Sequence, residues 1–209
     1  MRKFLIFSAM FSVLVATTGS AMAESIKGKH GVTVRGGFLI PADSKLDVGE
    51  RLEADTGFAA GVGVIYGISD NVAAEVDVTY SSYDNNGGGF DPYFEVKTHD
   101  VSVGAQYRFM PENTIVPYIG AGVDLLVNKT TDTASPQVGW PAEKYDTDLS
   151  YGGHLSVGAD IFLTKQIAFT AEFKGLLATE ADVERGDGTK IATIDPSSVS
   201  GLFGFRFFF

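Results

Sequence analysis

The amino-acid sequence predicts an all-β fold: an eight-stranded antiparallel up-and-down transmembrane β-barrel over residues 24–209, behind a cleavable signal peptide at residues 1–23. Three observations carry that expectation. Apolar and polar residues alternate with period two through eight stretches, which places each set on one face of a strand. The connections alternate long and short, the asymmetry of a barrel with long outer loops and tight periplasmic turns. After residue 23 no run of 18 apolar residues exists. The best candidate, 115–127, is broken by Asp124 and carries Pro117, Gly120 and Gly122, so no helical span is expected.

Composition removes several function classes. Lys plus Arg number 16 against 26 Asp plus Glu, a net charge of -10 that argues against nucleic acid as a partner. There is no cysteine, so disulfides and thiolate metal sites are excluded. Mean hydropathy is barely above zero, far below that of a helical membrane protein. Glycine, at 25 of 209, is well above the usual ~7%.

The elements follow in order. Arg2 and Lys3 precede the apolar Phe4 to Ala16, and Ala21 and Ala23 supply small residues at -3 and -1 of a cleavage site. That 13-residue core is short for a membrane anchor, which needs about 20. Strands are expected near 29–40, 56–67, 71–81, 95–109, 115–128, 149–163, 166–178 and 197–209. The first two carry small or polar residues on one parity (Thr33, Arg35, Gly37; Gly61, Gly63). In the third, Val72, Ala74, Val76, Val78 and Tyr80 oppose Glu75, Asp77 and Thr79. The fourth sets Val101, Val103, Ala105, Tyr107 and Phe109 against Asp100, Ser102, Gly104, Gln106 and Arg108. The fifth has Gly120, Gly122 and Asp124 on its polar parity. The sixth opposes Leu155, Val157, Ala159, Ile161 and Leu163 to Ser156, Gly158 and Asp160. The seventh opposes Ile167, Phe169, Ala171 and Phe173 to Thr170, Glu172 and Lys174. The eighth puts Phe203, Phe205, Phe207 and Phe209 on one parity. Between them, ISD, MPENT and TK are tight turns; PADSKLDVGERLEAD, SYDNNGGGFDPYF, KTTDTASPQVGWPAEKYDTD and TEADVERGDGTKIATIDP are long connections.

A soluble barrel also has one apolar face, turned inward. Three features turn it outward here. The apolar parity is almost free of charge, whereas the other mixes charge with glycine. Aromatics (Tyr66, Tyr80, Tyr107, Phe109) gather near strand ends, as interfacial girdles do. The four-Phe face of the last strand suits lipid and not water. The interior then holds Arg35, Arg108, Lys174 and Arg206 with Glu75, Asp77, Asp100, Asp124, Asp160 and Glu172. An eight-stranded lumen has room for side chains only. Buried charges must pair, so a plugged interior is expected and not a wide aqueous channel.

These residues resemble the small eight-stranded outer-membrane barrels of Gram-negative bacteria. Val116–Leu126 (VPYIGAGVDLL) is similar to a fifth-strand motif of that superfamily, and Asp195–Phe209 (DPSSVSGLFGFRFFF) to its closing strand. The order of HDVSVGAQYRF, PYIGAGV and the final strand resembles the OmpW family; OmpX-like, OmpA-transmembrane and opacity-type proteins share the motifs. The resemblance implies an outer-membrane location amid lipid and lipopolysaccharide. It implies that Phe205, Phe207 and Phe209 are read by the barrel-assembly machinery. It also implies passage of small hydrophobic molecules from the lumen sideways into the membrane. No cofactor, metal or nucleic acid is called for. A closed barrel leaves no edge strand to pair, so a monomer is expected.

Other candidates were weighed. His154 and Ser156 share a face with Glu172 one strand away, a possible nucleophile-activating set. It resembles the outer-membrane lipid A deacylase pattern but has Val157 where that family has Asn, and its parity faces the lumen; polar lumen residues are the plainer reading. His30 and His99 have no partner pattern. Asp84 to Gly89 superficially resembles a calcium loop but lacks the twelfth-position Glu. Asp182, Glu184 and Asp187 read as a solvated acidic loop, Trp140 as a possible surface contact. Asn128-Lys129-Thr130 matches a glycosylation sequon without meaning in this compartment. The expected function is thus a narrow conduit or binder for small hydrophobic molecules. The alternatives are a surface-interaction barrel acting through its outer loops, a lipid-modifying enzyme, and a soluble periplasmic lipid binder.

Overall fold

The structure, a computed structural model, describes residues 25–46, 51–87, 90–132, 144–147, 149–184 and 190–209; the signal segment and Trp140 lie outside them. Among the described residues all regular elements are strands: β1 His30–Pro41, β2 Ser44–Leu46, β3 Arg51–Ala54, β4 Gly57–Gly67, β5 Val72–Gly87, β6 Phe90–Arg108, β7 Ile115–Asp132, β8 Lys144–Thr147, β9 Leu149–Phe162, β10 Ile167–Ala178, β11 Ala181–Glu184, β12 Lys190–Ile194 and β13 Ser198–Phe208. Among the described residues no helix is long and apolar enough to cross a membrane.

Eight of the strands close a barrel. β1 pairs β4, β4 pairs β5, β5 pairs β6, β6 pairs β7, β7 pairs β9, β9 pairs β10, β10 pairs β13 and β13 returns to β1, every pair antiparallel. Closure is what satisfies every backbone group where lipid offers no hydrogen bonds. The tight turns close one end, where Ile68 N–H and Ser69 N–H both donate to the Val72 carbonyl.

The outward parity is apolar. Val34, Leu155 and Leu177 are 51%, 71% and 79% exposed, whereas the inward Arg206 and Asp160 are 0% exposed. Leaving a Val, Leu or Phe in water forgoes ~1.5–3 kcal/mol each. Ten such residues alone would exceed the ~5–15 kcal/mol net stability of a domain, so this belt belongs in lipid. Tyr66, Tyr107, Phe109, Phe207 and Phe209 ring its turn end, and Phe58 and Tyr151 stand exposed at the other. The Tyr107 and Phe109 rings meet edge-on at 5.1 Å.

The connections differ from expectation. β5 and β6 run almost to their hairpin tip, so the Asp84 to Gly87 segment is strand, with Asn85 buried. The long connections after β1, β7 and β10 contain β2, β3, β8, β11 and β12. These pair as β5–β3–β2–β12–β11–β8–β7, which with β5–β6–β7 closes a second ring above the belt. The segments are too short and polar for a period of two to show, and their partners lie far away in sequence.

Candidate functional site

The lumen is filled in three layers. At the turn end, Ile26, Ile65, Ala73, Val116, Phe162, Ala168 and Phe208 form an apolar plug. Ile26 reaches it because Ser25–Lys29 folds across the mouth: Lys27 bridges Gly67, and Gly28 N–H donates to the Gly67 carbonyl at 2.7 Å.

The middle layer is charged, and it brings all ten predicted lumen residues together. Arg206 donates to Asp160 at 2.8 Å, Glu75 at 2.7 Å and Thr33 Oγ1 at 2.9 Å. Arg108 lies 2.8 Å from the same Asp160 carboxylate. Arg35 donates to Glu172 at 2.9 Å and to Asp77. Tyr118 Oη donates to Glu172 at 3.0 Å, beneath the Arg206 guanidinium 5.6 Å from its ring. Gln106 donates to Glu75. One step outward, Lys174 donates to Asp100 at 3.0 Å and Asp124 at 2.7 Å, and His154 Nδ1 meets Asp124 at 2.7 Å. Sequence reasoning placed Gln106 on the polar parity without giving it a role and passed over Tyr118, which stands on the same parity of its strand.

Glycine makes this layer possible at two places. A Cβ at Gly158 would stand 2.5 Å from Tyr118 Oη, and one at Gly63 would collide with the Asp77 carboxylate. The remaining space between Arg35, Ser156 and Lys174 is about 20 Å³, against the ~10–15 Å³ one water needs. Hydrated ions have no continuous path through it.

The proposed trio of His154, Ser156 and Glu172 is not assembled. Glu172 is held by Arg35 and Tyr118, while His154 is held by Asp124. The register explains this: Lys174 lies opposite Ser156, and Glu172 lies opposite Gly158. The acidic Asp182 pairs with Lys190 at 2.7 Å. Among the described residues no cluster of three metal-ligating side chains occurs. Phe205, Phe207 and Phe209, for which the resemblance implied an assembly signal, face outward toward the turn end, where Phe209 exchanges backbone hydrogen bonds with His30.

The outer layer turns apolar again. Leu39, Ala59, Tyr83, Val96 and Leu202 from the barrel pack against Ala181, Val183, Ala192 and Ile194 from β11 and β12. Between them and the Lys174–Asp100 pair lies a cavity of about 30 Å³, also lined by Leu126, Leu176 and Pro196 and by the hydroxyl residues Thr79, Ser81, Thr98, Ser198 and Ser200. This lining was not predicted. Its signal was an apolar residue on the polar parity near the outer strand ends (Leu39, Leu126, Leu176). Outside the belt, the Glu95 hydrogen bond holds the Lys97 ammonium pKa above its ordinary value.

The comparisons agree with this architecture. OprG of Pseudomonas aeruginosa superposes with a TM-score of 0.70 at 18% identity, over 91% of this chain and 99% of that one. AlkL, solved in lipid bilayers, gives 0.58 at 15% identity over 91% and 94%. The E. coli outer membrane protein W gives 0.52 at 14% identity over 89% and 100%. At such identities the likeness is one of fold. No curated protein sequence matches the chain. The family model of the outer membrane protein beta-barrel domain matches residues 10–207, so the chain belongs to that family.

Proposed function

We propose that this outer-membrane barrel binds small apolar molecules in its outer chamber and is not an aqueous pore. The observation that carries this is the change of lining along the lumen: a largely apolar cavity of about 30 Å³, which a guest larger than water enters only if its β11–β12 cover moves, rests on a layer of paired charges with no room for hydrated ions. Apolar walls reward an apolar guest, and the paired charges beneath reject it. A guest admitted from outside therefore stops at the Lys174–Asp100 level, and the resemblance to the OmpW family implies that it leaves sideways. A non-catalytic role fits the lumen, where His154 and Glu172 are held by different partners and do not join Ser156 in one set. Export of the chain by cleavage after Ala23 belongs to the same reading.

Methyl NMR on the mature barrel in lipid nanodiscs tests the chamber. Adding cyclohexane is expected to shift Leu39, Leu126, Leu176 and Leu202 more than the lipid-facing Leu155 and Leu177. Equal shifts in both sets would overturn the chamber. Planar-bilayer recordings are expected to show no porin-sized steps; such steps would overturn the closed lumen.

A second reading has its own observation. β5, β6 and β7 rise beyond the exposed Phe58 and Tyr151 into the outer ring, forming a sheet surface outside the belt. A surface-interaction role would use it, and removing residues 82–96 would abolish partner adhesion while leaving chamber binding.

A further inference from the structure

The outer chamber contains polar atoms that nothing in the fold uses. Tyr83 is 5% exposed and Asn85 is 0% exposed. The Tyr83 hydroxyl and both polar atoms of the Asn85 amide lack a hydrogen-bond partner. The two residues are successive inward positions on β5, and Tyr83 itself lines the cavity with Leu39 and Leu202. A buried donor or acceptor left unmade is destabilising relative to an apolar side chain of the same shape. Phe and Leu would fill these positions better if packing alone were at stake. A chamber with apolar walls and a few convergent polar groups at one end is instead the form of a small-molecule site.

We propose that Tyr83 and Asn85 recognise an uncharged hydrogen-bonding head, a hydroxyl or carbonyl, on a small molecule whose apolar body lies against Leu39 and Leu202. This deepens the chamber reading and rests on it. The head is uncharged for two reasons. Among the residues lining the cavity the one cation, Lys174, the charge at the chamber floor, is already held by Asp100 and Asp124. Burial pushes the Tyr83 phenol pKa up and the charge of Asp195 adds to it, and the same charge repels a carboxylate. Among the residues lining the cavity the one carboxylate, Asp100, is held by Lys174, so a cationic head finds no unpaired partner there.

Entry requires movement of the roof, which short ladders hold: among the described residues β12 meets β2 through Ala192 with Leu46 and Thr193 with Lys45, and β11 meets β8 through Val183 with Thr147 and Glu184 with Asp146.

The test uses the mature barrel in nanodiscs, titrated with cyclohexane, cyclohexanol and cyclohexanecarboxylate. Cyclohexanol is expected to bind about five- to tenfold more tightly than cyclohexane, the gain of one or two net hydrogen bonds, and to shift the Asn85 side-chain amide. The carboxylate is expected not to bind. In the Tyr83→Phe, Asn85→Leu double variant the alcohol's advantage is expected to vanish while cyclohexane binding persists. Equal binding of alcohol and hydrocarbon to the unaltered barrel, with an unmoved Asn85 amide, would overturn head recognition and leave the chamber reading intact. Binding of neither would overturn the chamber reading itself. Because the Asn85 amide is read in the unaltered protein, the outcome does not depend on the variant folding.

Discussion

The middle and outer layers of the lumen sit in one continuous barrel, yet they are filled by opposite chemistries. In the middle, Arg35, Arg206, Arg108 and Lys174 are locked against carboxylates by side chains from opposing walls. In the outer part, Leu, Val and Ala pack, while Tyr83 and Asn85 leave polar atoms unmade. The backbone differs in parallel. The wall around the charges is held by unbroken ladders, such as Gly31 to Pro41 of β1 against Ser198 to Phe208 of β13. The outer ring hangs on two-residue ladders. One region has every charged side chain in an ion pair, although atoms of Arg108, Asp160 and Asp100 lack a hydrogen-bond partner, and has long ladders around it. The other has unengaged groups and a lightly held cover. On the proposed function, fixed structure and ligand access are separated along the barrel axis.

This contrast can be broken from either side. The largest effect is expected from Arg206→Ala, which strips Asp160 and Glu75 of their main partner. An uncompensated buried charge costs about 3–5 kcal/mol, so the urea midpoint of the barrel in vesicles falls steeply; an unchanged midpoint would mean the middle layer is not what fixes the fold. Ile26→Ala opens a void in the apolar plug and is expected to lower stability by roughly 2–5 kcal/mol. Conductance should stay at baseline, because the charged layer still closes the lumen; a rise would place the barrier at the plug.

Val183→Ala trims the roof of the chamber. It is expected to lower global stability by about 1–2 kcal/mol at most but to raise amide exchange selectively in β11 and β12. Uniform exchange throughout the barrel would erase the distinction between the two regions. The smallest effect is expected from Asp182→Asn. Its pair with Lys190 is solvent-exposed, and exposed pairs contribute about 0–1 kcal/mol; the midpoint should move within error.

Much of this was legible in the residues. Arg35 to Arg206 were identifiable as a lumen set because each charge occupies the parity opposite Val, Leu or Phe, and because a narrow barrel forces buried charges to pair. The outer ring was not legible. Ala181-Asp182-Val183-Glu184 alternates, but over too few residues to distinguish a strand from a loop, and its partners Ala192 and Ile194 lie across a connection. The trio of His154, Ser156 and Glu172 had the right residue types on the right face. It failed because neighbouring rows offset Glu172 to Gly158, within reach of Arg35 and Tyr118.

The sequence by itself determined the strand pattern, the outward apolar belt and the inventory of interior charges. It could do so because a strand's side-chain period is two whatever the strand pairs with. Only the tertiary structure decided which charges meet, that the outer lumen turns apolar, and that Tyr83 and Asn85 end without partners. Those outcomes depend on the relative register of strands distant in the chain. Arg206 and Glu75 are 131 positions apart, and closure of the barrel places them in contact.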